Sequence, residues 1–217
     1  MKRVQILYFL FVFFQLSSCM NEKDEGCCEA PDNPNFIYKY VVPDALNVIK
    51  LTNGYSDTND STFFIMSLYG ANSYSFGPFP DLEFNQLAES YGDTAWYDQE
   101  GDICITDTIA ELNVYSDGDI ISKNRVLDED INELFLINYF SYKDFIFSGY
   151  QDEYRKNDRL IPLAEYNAIP DKFLMKFGQG IYLPDSIRQN LSGDYEFYFE
   201  YKSTGGKVLR DTVEVSF

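Results

Sequence analysis

The 217-residue chain contains no histidine. Histidine is the commonest general base and the commonest zinc ligand in proteins. Its absence excludes Ser-His-Asp and Cys-His catalysis, and the three cysteines other than Cys19 make a poor metal site without imidazole. We therefore predict a protein that is not an enzyme, with no catalytic residues, no cofactor and no bound metal.

Cysteine is also scarce, with four residues at positions 19, 27, 28 and 104. If Cys19 is modified, as argued below, an odd number is left, so at least one thiol is unpaired within a monomer. The sequence leaves open whether Cys27 or Cys28 forms a disulfide with Cys104.

Basic residues are few: 17 Lys and Arg stand against 35 Asp and Glu. Without Lys2 and Arg3 the chain would carry 15 basic and 35 acidic residues, a net charge of −20. So acidic a protein does not hold a nucleic-acid backbone or an anionic membrane by charge. The 18 Tyr and 19 Phe argue against disorder, because these side chains bury large areas.

No apolar run reaches the roughly 20 residues of a transmembrane helix. Lys2 and Arg3 precede a short apolar stretch, Val4 to Phe14, which is followed by Leu16-Ser17-Ser18-Cys19. This layout is typical of a secretory signal that ends in a bacterial lipobox. We predict a signal peptide over residues 1–18 and a lipidated Cys19 that attaches the mature chain to a membrane.

Residues 19–35 are acidic and predict a flexible tether. Met20 follows Cys19 in place of the Asp that retains lipoproteins at the inner membrane, which favours the outer membrane. Lys23-Asp24-Glu25 resembles the acidic signal that sends many Bacteroidota lipoproteins to the cell surface. An ordinary charged linker and a periplasmic location are the alternative.

Residues 36–217 predict a single domain, mainly β, built as an antiparallel β-sandwich with one or two short helices. Strands are predicted for Ile37 to Val42, Leu46 to Leu51, Thr62 to Leu68, Ala110 to Tyr115 and Phe173 to Phe177. Tyr139 to Tyr150 is aromatic and fits a strand or a loop. The C-terminal alternation around Thr204-Gly205-Gly206 predicts a hairpin.

Two short helices interrupt the β pattern. Asp81 is a predicted cap for a helix that carries Phe84, Leu87, Ala88 and Tyr91 and stops at Gly92. Asp128 is the predicted N-cap of a second short helix of one or two turns, which carries Ile131, Leu134, Phe135 and Asn138.

Several of these features together resemble a group of uncharacterised Bacteroidota lipoproteins. They are the lipobox, the Cys27-Cys28 pair, the strand Ile109 to Ser116 running into Asp117, the turn Ile131 to Phe135 and the closing hairpin. The resemblance implies a lipobox-anchored domain of unknown function and assigns no residue a role.

Acidic clusters suggest calcium, which prefers oxygen ligands. They lie at Asp57, Asn59 and Asp60, and at Asp117, Asp119, Asp128 and Asp130, but neither has EF-hand spacing. Asp and Gly favour turns for backbone reasons, so solvated turns explain both clusters. Trp96 and Tyr97 are able to stack on a sugar ring, although core or interface packing is the commoner role.

The triplet of Asp, Ser or Thr, and a small or aliphatic residue resembles the O-glycosylation acceptor of Bacteroidota. It occurs five times, with its hydroxyl residue at Ser61, Thr94, Thr108, Ser186 and Thr212. Glycans require exposed loops, so Ser61, Thr94 and Ser186 are the candidates for O-glycosylation.

Three classes of function are consistent with the sequence. We favour a non-catalytic surface lipoprotein that binds a partner: a glycan, a peptide or another envelope protein. A structural or assembly subunit of a surface appendage and a carboxylate-only hydrolase are the alternatives.

Overall fold

The structure is a computed structural model, and it describes residues 36–51, 61–76, 82–94, 102–116, 121–122, 125–126, 131–151, 154 and 159–217. These residues lie within one compact unit, Asn33–Phe217. The predicted signal peptide, Cys19 and the tether lie outside the described residues. The predicted caps Asp81 and Asp128 also lie outside them.

The described part of the chain is mainly β, as predicted. Its strands are β1 Ile37–Val41, β2 Ala45–Leu51, β3 Ser61–Tyr69, β4 Ser73–Ser75, β5 Asp102–Ile105, β6 Ile109–Ser116, β7 Ile121–Ser122, β8 Arg125–Val126, β9 Leu136–Tyr139, β10 Arg159–Pro162, β11 Gly178–Pro184, β12 Asp194–Ser203 and β13 Val208–Ser216. Its helices are α1 Leu82–Tyr91, a 3₁₀ turn Asn132–Leu134, α2 Lys143–Phe147, α3 Leu163–Ala168 and α4 Asp185–Arg188.

Two antiparallel sheets form a sandwich-like body. One has the strand order β10-β9-β11-β3-β2 and the other has the order β13-β12-β6. Both contribute to a single apolar core, in which the Phe64 ring centroid lies 5.3 Å from that of Phe199 and 6.1 Å from that of Phe197. Strand β12 is the middle strand of its sheet, so the C-terminal hairpin is part of the body.

A third sheet, in the order β4-β1-β5, is mixed because β1 and β5 run parallel. It builds a second apolar core together with α1 and α2. In this core the Tyr40 ring lies 5.5 Å from Phe84, and the Phe36 ring lies 4.8 Å from Phe145, between centroids. Phe36 and Ile37, the first residues that the structure describes, therefore belong to the second core.

Helix α1 is confirmed, and it ends where its sequence predicts. Phe84 and Ala88 are its buried residues. At its end the N–H of Gly92 donates to the carbonyl of Glu89 (3.1 Å) and the N–H of Asp93 donates to that of Ala88 (2.9 Å). This paired closure needs a left-handed residue, and Gly92 supplies it with φ +73°.

The helix content differs from the prediction. The described residues contain four α-helices, and three of them, α2, α3 and α4, are only four to six residues long. The aromatic stretch Tyr139 to Tyr150, expected to be strand or loop, ends β9 and then forms α2. These helices are too short to show a 3.6-residue apolar period in the sequence.

The predicted strand Phe173 to Phe177 is wrong. This segment makes isolated bridges at Met175 and Lys176, and Leu174 takes a left-handed φ of +52° that no strand allows. The strand in this part of the sequence is β11, and its two glycines lower the strand propensity that would have indicated it. A Cβ at Gly180 would lie 2.6 Å from the Phe63 ring, so the glycine leaves room for that aromatic side chain.

Candidate functional site

A polar pocket lies on the outer face of the sheet β13-β12-β6. Its volume is about 570 Å³, and it is lined by side chains of two strands, the 3₁₀ turn and α3: Glu111, Asn113, Tyr115, Asn132, Glu133, Ala164, Asn167 and Lys202. All but one of these residues are polar, and three of them are asparagines. The pocket is therefore built for hydrogen bonding.

Strand alternation places one side of β6 in this pocket. Glu111, Asn113 and Tyr115 share its outer face, whereas Leu112 and Val114 are buried in the sandwich core. The alternation of apolar and polar residues in this strand is visible in the sequence. Asn113 is only 9% exposed, because the 3₁₀ turn and α3 cover this part of the strand.

Two asparagine side chains close the free edge of β6. Asn167 accepts a hydrogen bond from the backbone N–H of Leu112 (2.9 Å) and donates to the carbonyl of the same residue (2.8 Å). Asn132 accepts from the N–H of Val114 (2.8 Å). The amides thus take the place of a neighbouring strand, which satisfies backbone groups that an edge strand leaves unpaired.

The same two amides hold Asn113 in place. The Oδ1 atom of Asn113 accepts from Nδ2 of Asn132 (2.9 Å) and from Nδ2 of Asn167 (3.3 Å). Its own Nδ2 donates to Oε2 of Glu111 (3.2 Å). The floor of the pocket is therefore a connected amide network with a fixed orientation, and such networks make a site rigid.

The charges around the pocket are paired. Lys202 Nζ lies 3.0 Å from Oε2 of Glu111 and 3.2 Å from Oε1 of Glu200, and Arg210 Nη2 lies 2.6 Å from Oε2 of Glu200. Hydrogen bonds from Lys202 and then Asn113 lower the pKa of Glu111. Burial acts to raise the pKa of Glu200, but hydrogen bonds from Arg210 and Lys202 outweigh it and lower that pKa. Both carboxylates are thus held in the ionised, accepting form.

Two tyrosines continue the pocket along the sheet. Tyr115 on β6 pairs in register with Tyr198 on β12, and the Tyr198 side chain is exposed at 37%. Paired residues on adjacent strands have Cβ atoms about 4.5–5.5 Å apart. The tyrosines therefore form an aromatic row beside the amide network.

Two of the predicted modification sites, Thr94 and Ser186, have described side chains, and neither lines the pocket. Cys19 and the side chain of Ser61 lie outside the described residues, although the backbone of Ser61 begins β3. Thr94 is exposed, but Asp93, the acidic residue of its triplet, is fully buried. Ser186 is exposed in α4 and lies next to the partly exposed Asp185.

The acidic clusters, Trp96, Tyr97, Cys27 and Cys28 also lie outside the described residues. Cys104 is a free thiol in the second core. Burial, and then the charges of Asp102 and Asp93, raise its pKa well above the ordinary value. A thiol in this state is a packing residue rather than a nucleophile.

A buried acid that the sequence analysis missed lies where the chain enters the second core. Asp93 accepts hydrogen bonds from the backbone N–H groups of Phe36 (2.9 Å) and Ile37 (2.8 Å) and from the hydroxyl of Tyr150 (2.7 Å). Burial raises its pKa, and these hydrogen bonds partly offset that effect. The triplet Asp93-Thr94-Ala95 had suggested glycosylation, whereas Asp93 itself fixes the start of β1.

The comparisons with known proteins give no relative. No family model, no curated protein and no solved structure matches the chain. In the described part of the chain, no group of three or more His, Cys, Asp and Glu side chains is placed to hold a metal ion. None of the helices described there has the length and apolar character that crossing a membrane requires.

Proposed function

We propose that the protein is a lipid-anchored lipoprotein of the outer membrane whose folded part binds a saccharide in the pocket beside β6. The observation that carries this proposal is the amide network of Asn113, Asn132 and Asn167, which is fixed in place and borders an aromatic row. Hydroxyl groups of a sugar both donate and accept hydrogen bonds. A wall of amides and carboxylates offers the matching partners.

The paired charges favour a neutral ligand. The cation Lys202 already contacts Glu111 and Glu200, so the pocket has no surplus positive charge for an anion. The lowered pKa values of Glu111 in the pocket and of Glu200 beside Lys202 suit hydrogen-bond acceptors. A hydrolase would instead need a carboxylic acid with a raised pKa as its proton donor, so the pocket supports binding over hydrolysis.

The aromatic row adds a surface for a sugar ring. A tyrosine ring is flat and apolar on its face and carries a polar hydroxyl at its edge. The ring of Tyr198 is partly exposed next to Tyr115. A pyranose that lies against this row would bury its apolar face and direct its hydroxyls towards the amides.

The size and shape of the pocket favour a glycan over a protein partner. Pockets for small ligands are clefts of about 300–1,000 Å³, and this site is a recess of about 570 Å³. Assembly by strand addition would need an open sheet edge. The edge of β6 is occupied by asparagine side chains, which works against strand addition beside the pocket.

The proposed location rests on the N-terminal sequence. The lipobox around Cys19 supports attachment to a membrane, Met20 supports the outer membrane, and Lys23-Asp24-Glu25 supports display at the cell surface. A lipoprotein displayed there would meet glycans of the surroundings, whereas one facing the periplasm would meet those of the envelope.

A glycan array tests the saccharide site. All proteins would share one background, the Cys19→Ser chain without its signal peptide, which is called wild type in this experiment. The pocket variants are Tyr115→Ala and Glu133→Gln. The matched control is Glu89→Gln on α1. We expect retention of neutral glycans by wild type and control, and about tenfold weaker binding by each pocket variant. Glu133→Gln replaces a charged hydrogen-bond acceptor by a neutral one, and Tyr115→Ala removes a ring from the aromatic row. Thermal melts would show that the variants are folded.

Two outcomes would contradict the proposal. One is that the array retains no saccharide at all. The other is that a saccharide binds equally to all four proteins, which would place its site elsewhere.

A further inference from the structure

A cluster of aromatic rings at the surface of the second core carries one exposed ring, while Phe173 and Tyr91 are partly buried against that core. Phe147 at the end of α2 is 58% exposed. Its ring centroid lies 5.9 Å from that of Phe173, which stacks on Tyr91 at 6.1 Å, and Nζ of Lys143 lies 4.8 Å from the centre of the Phe173 ring. We call Phe147, Phe173, Tyr91 and Lys143 the aromatic patch.

The aromatic patch is rigid. The hydroxyl of Tyr91 donates to the carbonyl of Thr106 (2.7 Å), so the stacked ring beneath Phe173 is fixed. Phe147 borders the turn that ends α1, since a Cβ built on Gly92 would lie 3.8 Å from its Cε1 atom. Phe147 thus projects from a well-packed base.

The chain enters the fold beside the same helix. The ring of Phe36 packs at 4.9 Å on Tyr142 and at 4.8 Å on Phe145, and both residues belong to α2 or directly precede it. Asp93 holds the backbone N–H groups of Phe36 and Ile37. The end of the tether is therefore fixed to the element that carries Phe147.

We propose that the aromatic patch docks on the lipid bilayer that holds the anchor of this chain. The inference rests on the lipid anchor of the proposed function and is independent of the saccharide pocket. Phe36 comes 17 residues after Cys19, a span of at most about 60 Å at 3.3–3.6 Å per residue. A tether of this length keeps the domain at high local concentration above the bilayer.

The chemistry of the patch suits the membrane interface. Aromatic rings partition to the boundary between headgroups and acyl chains, and the Lys143 stem can lie along the rings while its ammonium reaches a lipid phosphate. The mature chain has a net charge of −20 and is repelled by anionic lipids as a whole. Contact is therefore favoured only where apolar surface is exposed near the tether.

Fluorescence quenching by brominated lipids tests the docking. Trp96 is the single tryptophan, so Trp96→Phe gives a silent background in which Phe147→Trp reports on the patch. The control is Leu160→Trp in the same background, at a residue that is 52% exposed on β10 of the five-stranded sheet. The lipidated mature protein would be reconstituted in phosphatidylethanolamine–phosphatidylglycerol vesicles with and without brominated acyl chains.

We expect the emission maximum of the tryptophan at position 147 to lie at shorter wavelength than that of the tryptophan at position 160. Brominated lipid should quench at least about half of the emission from position 147, because interfacial residues lie about 5–10 Å deep. The tryptophan at position 160 should keep its emission. Equal quenching at both positions, or none at position 147 in protein that floats with the vesicles, would overturn the docking. Protein that fails to float would overturn the anchor and the docking together, while saccharide binding by the same preparation would show that the pocket proposal stands.

Discussion

The carboxylate of Asp211 on β13 accepts a hydrogen bond from the backbone N–H of Val48 on β2, with an Oδ2···N distance of 2.6 Å. These two strands are edges of different sheets, and they lie side by side. The acid thus occupies the free edge of β2, as the amides of Asn132 and Asn167 occupy that of β6. Both sheets of the sandwich protect an edge with a side chain.

Removing Asp211 should destabilise the fold. In Asp211→Ala the N–H of Val48 loses its partner, which costs about 1–3 kcal/mol for a buried donor. Asp211→Asn keeps an acceptor oxygen and should lose less. Chemical denaturation of both variants, with the exposed Thr212→Ala as control, measures this. If Asp211→Ala and Thr212→Ala had equal unfolding free energies, the hydrogen bond would have no role in stability.

Asn167 should matter to the fold as well as to the pocket. Asn167→Ala removes the two hydrogen bonds with Leu112 and exposes the edge of β6, so we expect a loss of about 1–3 kcal/mol. Ala164→Ser, on the pocket side of the same helix, should stay within about 0.5 kcal/mol. Amide hydrogen exchange at Leu112 should become faster in Asn167→Ala, and unchanged protection there would show that another group closes the edge.

The C-terminal hairpin should be indispensable. Phe199 is buried against Phe64, and replacing a buried Phe by Ala costs about 3–5 kcal/mol. Phe199→Ala should therefore lower the melting temperature markedly, whereas Glu214→Ala on the exposed side of β13 should leave it unchanged. A chain truncated after Gly193 that melts cooperatively at the wild-type temperature would show that the hairpin is an appendage.

The buried Asp93 should give stability a distinct pH dependence. Its pKa in the folded protein lies above its ordinary value, chiefly because of burial. The protonated form is therefore favoured by folding. The contribution of Asp93 to the free energy of unfolding is complete below its pKa in the unfolded chain, about 3.9. This contribution is lost as the pH rises through the pKa of Asp93 in the folded protein.

The comparison of wild type with Asp93→Asn isolates this effect, because both proteins share every other titrating group. The unfolding free energy of the wild type relative to that of Asp93→Asn should be highest near pH 4. It should decrease as the pH rises to 8. Urea titrations at several pH values measure it. A difference that instead moved in favour of the wild type with rising pH would mean that the folded pKa is lowered.

Much of the fold could be predicted where a local pattern is strong. Strands β1, β2, β3 and β6 and the hairpin β12–β13 alternate in the sequence, and α1 carries an apolar stripe that ends at a glycine. The misses follow from tertiary context. Gly180 belongs to a central strand because Phe63 needs its space, and Leu174 takes a left-handed conformation that side-chain propensity does not indicate.

The pocket could not be predicted from the sequence. Its three asparagines lie at positions 113, 132 and 167, on a strand, a 3₁₀ turn and a short helix, and a single asparagine carries no distinguishing pattern. Helix α3, which provides Asn167, follows Pro162 and is only six residues long, so its apolar pattern is too short to indicate a helix. Only the folded chain brings the amides together.

The most direct test of the saccharide site is chemical-shift mapping on the ¹⁵N-labelled Cys19→Ser chain, titrated with the neutral glycan that the array selects. The account predicts that the side-chain amide signals of Asn113, Asn132 and Asn167 shift together and saturate, along with the backbone signals of Glu111 and Tyr115. Shifts confined to other surfaces, or asparagine signals that stay fixed while the glycan binds, would contradict it.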